Sequence, residues 1–221
     1  MSLLHQQNMK YKLVLFDFDG TIADTSPGII DSHTFALKSM GREVPSEKEL
    51  LDVIGGQLFK TYIEIFGFEE SLAKQAIKIY RERYVEKGMH MAELYPDFED
   101  LLRVLKGKGY KIGVATLKAE KFAQDMLKEL GISDYFDVVY GMDDTDKLTK
   151  ADLIKKCSAS CSVTLAETIL IGDSYNDWKG AVRTEVGFIG VTYGFGFKQE
   201  KGYEFPCANT VKELIDYFSS S

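Results

Sequence analysis

From Phe98 onward the chain alternates short apolar runs with amphipathic stripes, and this alternation constrains the fold more than any other feature. Lys111-Ile-Gly-Val-Ala-Thr116, Phe136-Asp-Val-Val-Tyr140, Thr168-Ile-Leu-Ile-Gly172 and Gly187-Phe-Ile-Gly-Val-Thr192 read as short buried strands. Phe98, Leu101, Leu102 and Leu105 recur at helical spacing, as do Phe122, Ala123, Met126, Leu127 and Leu130. Gly107 and Gly109 stop the first stripe and Gly131 the second. Further helices are expected over roughly 150–160, from near Asn176, and through Val211, Leu214, Ile215 and Phe218. Strands alternating with helices predict an α/β fold with a mostly parallel sheet and helices on both faces.

One block breaks the rhythm. The apolar run Leu13 to Phe16 reads as a buried strand that ends in acids and then Gly20. From roughly 26 to 90 the texture is helical, with Leu72, Ala76, Ile77, Tyr80 and Tyr84 at helical spacing and Pro45 and Gly55-Gly56 as punctuation. No strand is expected inside it. The block is too long for an ordinary crossover. It reads as an inserted helical cap domain over 24–93, tethered near Ala23–Pro27 and Met91–Pro96, with 1–23 and 94–221 as the core domain. A chain of 221 residues has room for a core of ~150 and such an insert.

Apolar residues make up 45% and charged residues 28%, enough to bury a core and to exclude disorder. The formal charge of -7 argues against a general nucleic-acid or anionic-membrane binder. The sequence has no apolar run of the ~18 residues a membrane span needs. Its first ten residues lack the apolar stretch of a secretory signal. Three cysteines cannot all pair with one another, so a reducing, cytoplasmic setting is expected.

Three strands end in groups suited to chemistry. Asp17 and Asp19 close the first, Thr116 closes another, and Asp173 follows Gly172 with Asp177 four residues on. Sites in open α/β sheets form outside the carboxyl ends of strands, so these groups are expected to converge on one crevice. Strand alternation predicts that Asp17 and Asp19 point to the same side. Any one of these aspartates alone reads as a turn or N-cap residue. Asp17-Phe-Asp19-Gly20-Thr21 together with Gly172-Asp173-Ser-Tyr-Asn-Asp177 does not. Four carboxylates in one crevice repel one another and raise each other's pKa, and a hard divalent cation such as Mg²⁺ relieves this. A fixed positive charge is the next requirement, and Lys147 and Lys150 both stand at a suitable distance along the chain.

With those residues in view, the chain resembles the haloacid dehalogenase superfamily of phosphohydrolases. Asp17-Phe-Asp19-Gly20-Thr21 is similar to its first motif, DxDGT, and Gly172-Asp173-Ser-Tyr-Asn-Asp177 to its fourth, GDxxxD. Thr116 and Lys150 fall where the second and third motifs place a hydroxyl and a lysine. The resemblance runs from about Lys12 to Thr192 and implies a Rossmann-like core. The helical block resembles a C1 cap. Ile54-Gly55 with Leu58, and Gly190-Val-Thr-Tyr-Gly194, look like the phosphoglycolate-phosphatase-like subgroup. Two departures stand out: Leu117 where many members carry Asn, and Lys150-Ala-Asp without the Pro that often follows the lysine, which keeps Lys147 as a rival.

The resemblance implies a Mg²⁺-dependent phosphatase acting on a small-molecule phosphate ester. Asp17 is then the nucleophile that forms an aspartyl-phosphate. Asp19 is the acid and base, its neighbours' charge keeping a proton available. Asp17, the Asp19 main-chain carbonyl, Asp173 and Asp177 are the expected metal ligands. Thr116 binds the transferring phosphoryl group and Lys150 screens Asp17 from it. Gly20, Thr21, Gly55, Thr116, Leu117 and Lys150 are the expected substrate-binding positions. A β-phosphoglucomutase-like phosphotransferase or a pyrophosphatase is the alternative, and a non-catalytic binding module leaves the acid set unexplained. A monomer or homodimer fits this reading.

Other features carry less. Cys157 and Cys161 lie four apart on an expected helix but have no further ligands at zinc spacing. His5 belongs to a frayed terminus, and His33 and His90 sit in or beside the cap without a partner pattern. Tyr193-Gly-Phe-Gly-Phe197 reads as a loop beside the site rather than a nucleotide cradle. Tyr62, Phe66 and Phe68 read as cap packing.

Overall fold

A computed structural model describes residues 11–143, 147–199 and 201–220; His5 lies outside them. Strand β1 spans Leu13–Phe16 and is fully buried, as a strand covered on both faces must be. The chain then turns through Phe18–Ile22 into β2 (Ala23–Asp24). Helices α1 (Ser26–Ser39), α2 (Glu47–Leu51) and α3 (Leu58–Lys60) follow, α3 running on as a π-helical turn over Thr61–Ile65. Helix α4 (Glu70–Glu86) and strand β3 (Glu93–Leu94) complete the helical block. β2 and β3 pair antiparallel, Ala23 beside Leu94 and Asp24 beside Glu93, so the chain leaves and re-enters the sheet region through one two-stranded neck.

The remainder alternates as expected: α5 (Phe98–Gly107), β4 (Lys111–Ala119), α6 (Glu120–Glu129), β5 (Val138–Met142), α7 (Lys150–Ser160), β6 (Thr168–Gly172), α8 (Tyr175–Thr184), β7 (Gly187–Val191), β8 (Cys207–Ala208) and α9 (Val211–Ser219). Six strands form one parallel sheet in the order β5-β4-β1-β6-β7-β8. Two details differ from the sequence reading. β4 runs three residues beyond Thr116, with a register shift between Ala115 and Ala119. β8 has no counterpart in the apolar pattern, because two residues carry no periodicity.

The pleat of β1 sorts the core into two layers. Val14 and Phe16 pack with Phe98, Leu101, Ala123, Met126, Leu214 and Phe218, from α5, α6 and α9. Leu13 and Leu15 pack with Leu153, Ile154 and Cys157 of α7 and Ala181 of α8. The first layer continues without a break into the helical block, through Leu37, Leu50, Tyr62 and Tyr84. Tyr84 of α4 donates from its hydroxyl to Met126 Sδ at 3.4 Å, which seats α4 on α6. Among the described residues no helix is long and apolar enough to cross a membrane.

This topology positions a site. From β1 the chain steps outward through β4 and β5, then returns to the opposite side for β6, β7 and β8. The crevice at the carboxyl end of β1 is therefore the point where strand order reverses. Phe16 is in register with Val114 of β4 and Ile171 of β6, so Asp17, Thr116 and Asp173 leave the sheet at nearly one level.

Candidate active site

Capping chemistry places the charged groups at that level. Thr149 N-caps α7: its hydroxyl accepts from Asp152 N at 3.3 Å, while its own N–H donates to Asp152 Oδ2 at 2.9 Å. Lys150 thereby becomes the first helical residue, 5% exposed, with its ammonium under the sheet edge. Its Nζ donates to Asp17 Oδ1 at 2.7 Å and to the Ala115 carbonyl at 2.9 Å. Lys147 is exposed, so Lys150 is the lysine beside Asp17.

Ser174 begins α8 in the same way. Its N–H and Oγ donate to Asp177 Oδ2 at 3.0 and 2.6 Å. Asp177 is thus both a capping residue and a member of the acid cluster. Its Oδ1 lies 2.6 Å from Lys150 Nζ as an ion pair, but off the line of a hydrogen bond. Asp173 Oδ2 accepts from Phe195 N at 2.7 Å and Gly196 N at 3.2 Å. The Tyr193–Phe197 loop therefore grips an acid instead of merely flanking the site. Gly20 and Gly194 pass close to Asp173: a Cβ on Gly194 would stand 2.6 Å from Asp173 Oδ2, and one on Gly20 would overlap the same oxygen. Gly20 also holds φ of +78°, which favours glycine.

Asp17, Asp173 and Asp177 each offer a carboxylate oxygen, all within 4.8 Å of one another. They are 3%, 2% and 0% exposed, and one lysine, Lys150, pairs with Asp17 and Asp177. Burial first, and the Asp177 charge next, push Asp17 up to about 6 against the pull of Lys150. Burial, Asp177 and Asp17 likewise push Asp173 well above the ordinary carboxylate range, against the N–H donors of the loop. Burial alone would lower Lys150, but Asp17 and Asp177 outweigh it and raise it, so the ammonium stays charged. Three oxygen donors with an excess of negative charge, one of them without a hydrogen-bond donor, fit a hard cation such as Mg²⁺.

Asp19 stands apart from that triad. Its Oδ1 accepts from Thr25 Oγ1 at 2.7 Å and Lys118 Nζ at 2.8 Å. Asp17 and Asp19 line one cavity, although β1 ends at Phe16 and the chain turns at Phe18, whose carbonyl accepts from Thr21 N and Ile22 N. The groups that touch its carboxylate are thus a hydroxyl and a cation, not a second acid. Lys118 and Thr25 were not singled out by sequence reasoning. The available signal was alternation along β4, which puts Lys118 on the same side as Thr116.

A cavity of about 80 Å³ opens against these groups, lined by Asp17, Asp19, Thr116, Leu117 and Lys118 below and by Ile29, His33, Ile54, Gly55, Tyr80 and Arg81 of the helical block above. Gly55 and Leu117 are therefore both in the wall. Gly20 and Thr21 are not: Gly20 backs Asp173, and Thr21 is fully buried with its hydroxyl unpartnered among the described residues. Asn176 Nδ2 donates to the Gly55 carbonyl at 3.1 Å, which fastens the Gly55 turn to the start of α8. His33 is buried in that upper wall with Tyr62, Phe66 and Tyr80 around its ring. Cys157, Cys161 and Cys207 are free thiols, and burial pushes Cys157 up to about 12.

Comparison with known proteins finds similarity over most of the chain. A 5'-nucleotidase of Pseudomonas aeruginosa is 34% identical over 193 residues, 87% of each chain. The tyrosine-protein kinase PtkA of Mycobacterium tuberculosis is 32% identical over 84% of this chain and 63% of its own length. A phosphoglycolate phosphatase of Vibrio vulnificus is 26% identical over 93% of this chain and 95% of its own. The crystal structure of a predicted phosphatase from Clostridium acetobutylicum superposes with a TM-score of 0.88 at 34% identity, covering 96% of this chain and 99% of that one. A profile of the haloacid dehalogenase-like hydrolases matches residues 14–191, from the second residue of β1 to the last of β7. Asp17, Asp19, Thr116, Lys150, Asp173 and Asp177 all fall inside that span, and the chain belongs to the haloacid dehalogenase-like hydrolase family.

Proposed function

We propose that the protein is a Mg²⁺-dependent phosphatase that hydrolyses a small phosphate monoester through an aspartyl-phosphate. The observation that carries this reading is the place of Asp17. It sits at the reversal of strand order, 2.7 Å from Lys150 and in one cluster with Asp173 and Asp177. Asp17, Asp173 and Asp177 would hold the cation, with the Asp19 main-chain carbonyl as the fourth protein ligand. The ion would draw in the phosphate and neutralise its charge.

The residues then divide the work. Lys150 holds Asp17 Oδ1, which leaves Oδ2 to attack phosphorus. As that bond forms, the bond to the leaving oxygen breaks, and Asp19 supplies the proton the leaving oxygen needs. Asp19 next takes a proton from the water that hydrolyses the aspartyl-phosphate. Thr116, 1% exposed and in the cavity wall, binds the transferring phosphoryl group. Residues 24–93 act as a cap over the crevice, and 1–23 with 94–221 as the core. A small cavity under such a cap suits a small metabolite of the phosphoglycolate kind, in a reducing cytoplasm where the three thiols stay free.

The test is phosphate release from p-nitrophenyl phosphate by the wild type and Asp17→Asn, with folding checked by circular dichroism. The variant should lose at least ~100-fold, the loss expected for one key catalytic group. Activity within ~10-fold of wild type removes Asp17 as nucleophile. EDTA should stop the wild type and Mg²⁺ restore it. Transfer to an acceptor is the second reading, favoured by the likeness to PtkA. Phosphate recovered on an added hydroxyl compound, rather than as free inorganic phosphate, would establish it.

A further inference from the structure

Arg81 of α4 lines the candidate catalytic cavity and also a second groove of about 670 Å³ between the helical block and Lys147. It is half-buried. The other cations of α4 have acidic partners: Lys74 with Glu70 at 2.5 Å, Lys78 with Glu82 at 3.8 Å, and Arg83 with Asp31 at 2.6 Å. Arg81 makes no ion pair or hydrogen bond among the described residues. Among the described residues its one companion cation in the cavity wall, Lys118, pairs with Asp19. The rest of the wall above the acidic floor carries no charged side chain besides Lys118: Ile29, Val53, Ile54, Leu58 and Phe122 stand there with His33, Thr61, Tyr80 and Tyr84.

A guanidinium without an acidic partner among the described residues is a ready receptor for an anion, because its planar fork matches a carboxylate or phosphate edge. It belongs to the helical block, across the cavity from the phosphoryl-binding floor. We propose that Arg81 determines specificity by binding a second anionic group on the leaving portion of the substrate. The preferred substrates are then phosphate monoesters whose leaving group carries a carboxylate or a further phosphate, rather than a neutral alcohol or nucleoside. The groove beyond Arg81 gives room for the rest of a larger leaving group. This rests on the phosphatase reading for the position of the phosphoryl group.

The test measures binding, so it does not depend on turnover. On the Asp17→Asn background, with Mg²⁺ present, calorimetry compares ethyl phosphate with phosphoglycolate, which replaces the terminal methyl by a carboxylate. A second pair is propyl phosphate and propane-1,3-diol bisphosphate. The anionic member of at least one pair should bind about tenfold tighter or more, the range of a charge-assisted contact. Adding Arg81→Gln should shrink that preference below about threefold, and Arg81→Lys should keep part of it. A response in the first pair alone assigns a carboxylate, and in the second alone a phosphate. No preference on the Asp17→Asn background overturns the proposal, as does a loss in Arg81→Gln shared equally by both members. A wild type that releases no phosphate from any ester, yet discriminates through Arg81, overturns the phosphatase reading instead.

Discussion

Lys118 Nζ lies 2.8 Å from Asp19 Oδ1, with the two side chains only 5% and 9% exposed. Lys118 also stands 4.6 Å over the Tyr84 ring of α4, so the pair joins the cavity floor to the helical block. A buried pair adds little net stability over apolar neighbours, but removing one member leaves an uncompensated charge. Lys118→Met should therefore destabilise the protein by ~3–5 kcal/mol in urea unfolding. Phosphate release should fall ~100-fold, because Asp19 loses the partner that orients it. Lys118→Met with Asp19→Asn should recover most of the stability and none of the activity. A single variant as stable as wild type would show the pair to be idle.

Gly194 meets Asp173 so closely that no side chain fits between them. Gly194→Ala must push Asp173 or the loop aside, although it removes none of the acids. Disturbing the support of a metal ligand typically weakens metal binding ~10–100-fold. The Mg²⁺ concentration for half-maximal activity should rise by that factor, with activity recovering at saturating Mg²⁺. An unchanged Mg²⁺ titration would exclude Asp173 as a ligand held by this loop.

The Gly55 turn is held by Asn176 Nδ2 on the Gly55 carbonyl at 3.1 Å and by Gln57 Nε2 on the Leu148 carbonyl at 3.4 Å. One exposed neutral hydrogen bond is worth about 1 kcal/mol, or roughly fivefold. Asn176→Ala should raise KM by about that factor and change kcat less, since the turn lines the cavity without touching Asp17. Equal changes in KM and kcat, or none, would leave the fastening without a role in substrate binding.

What could be read from residues alone follows from locality. β1, β4 and β6 are buried on both faces, so they write themselves as continuous apolar runs, and Asp17 and Asp173 follow the ends of β1 and β6 directly. Lys150 needed the acids to give it meaning, and only the capping box at Thr149 explains why it, and not Lys147, is turned inward. β8 is two residues long and exists through its register with Gly190 and Val191. Lys118 pairs with a residue 99 positions away, and Arg81 is defined by a partner it lacks. Alternation along β4 could have put Lys118 beside Thr116, but neither its pairing with Asp19 nor the position of Arg81 leaves a motif signal. Asp17 and Asp19 do line one cavity, but β1 ends at Phe16, so the turn at Phe18 and not the pleat sets the direction of Asp19.

His33 gives the protein an acid-sensitive core. It is 3% exposed, its Nδ1 lies 3.3 Å from the Tyr62 hydroxyl, and the Tyr80 ring is 4.5 Å away. None of these neighbours carries a negative charge, and burial pushes the imidazole down to about 3 from an ordinary 6.5. The folded protein therefore keeps His33 neutral in a range where the unfolded chain protonates it. Stability rises with pH wherever the unfolded state binds more protons. The contribution of His33 is then complete above pH ~6.5 and is lost progressively below it, at up to ~1.4 kcal/mol per pH unit. Urea unfolding at pH 7, 6 and 5 should show the wild type losing stability faster than His33→Phe, the gap between the two slopes approaching that figure below pH 6. The comparison cancels every other titrating group the two proteins share. Parallel slopes would mean that His33 takes up its proton without unfolding, and that the cavity beside it admits enough water to solvate the charge.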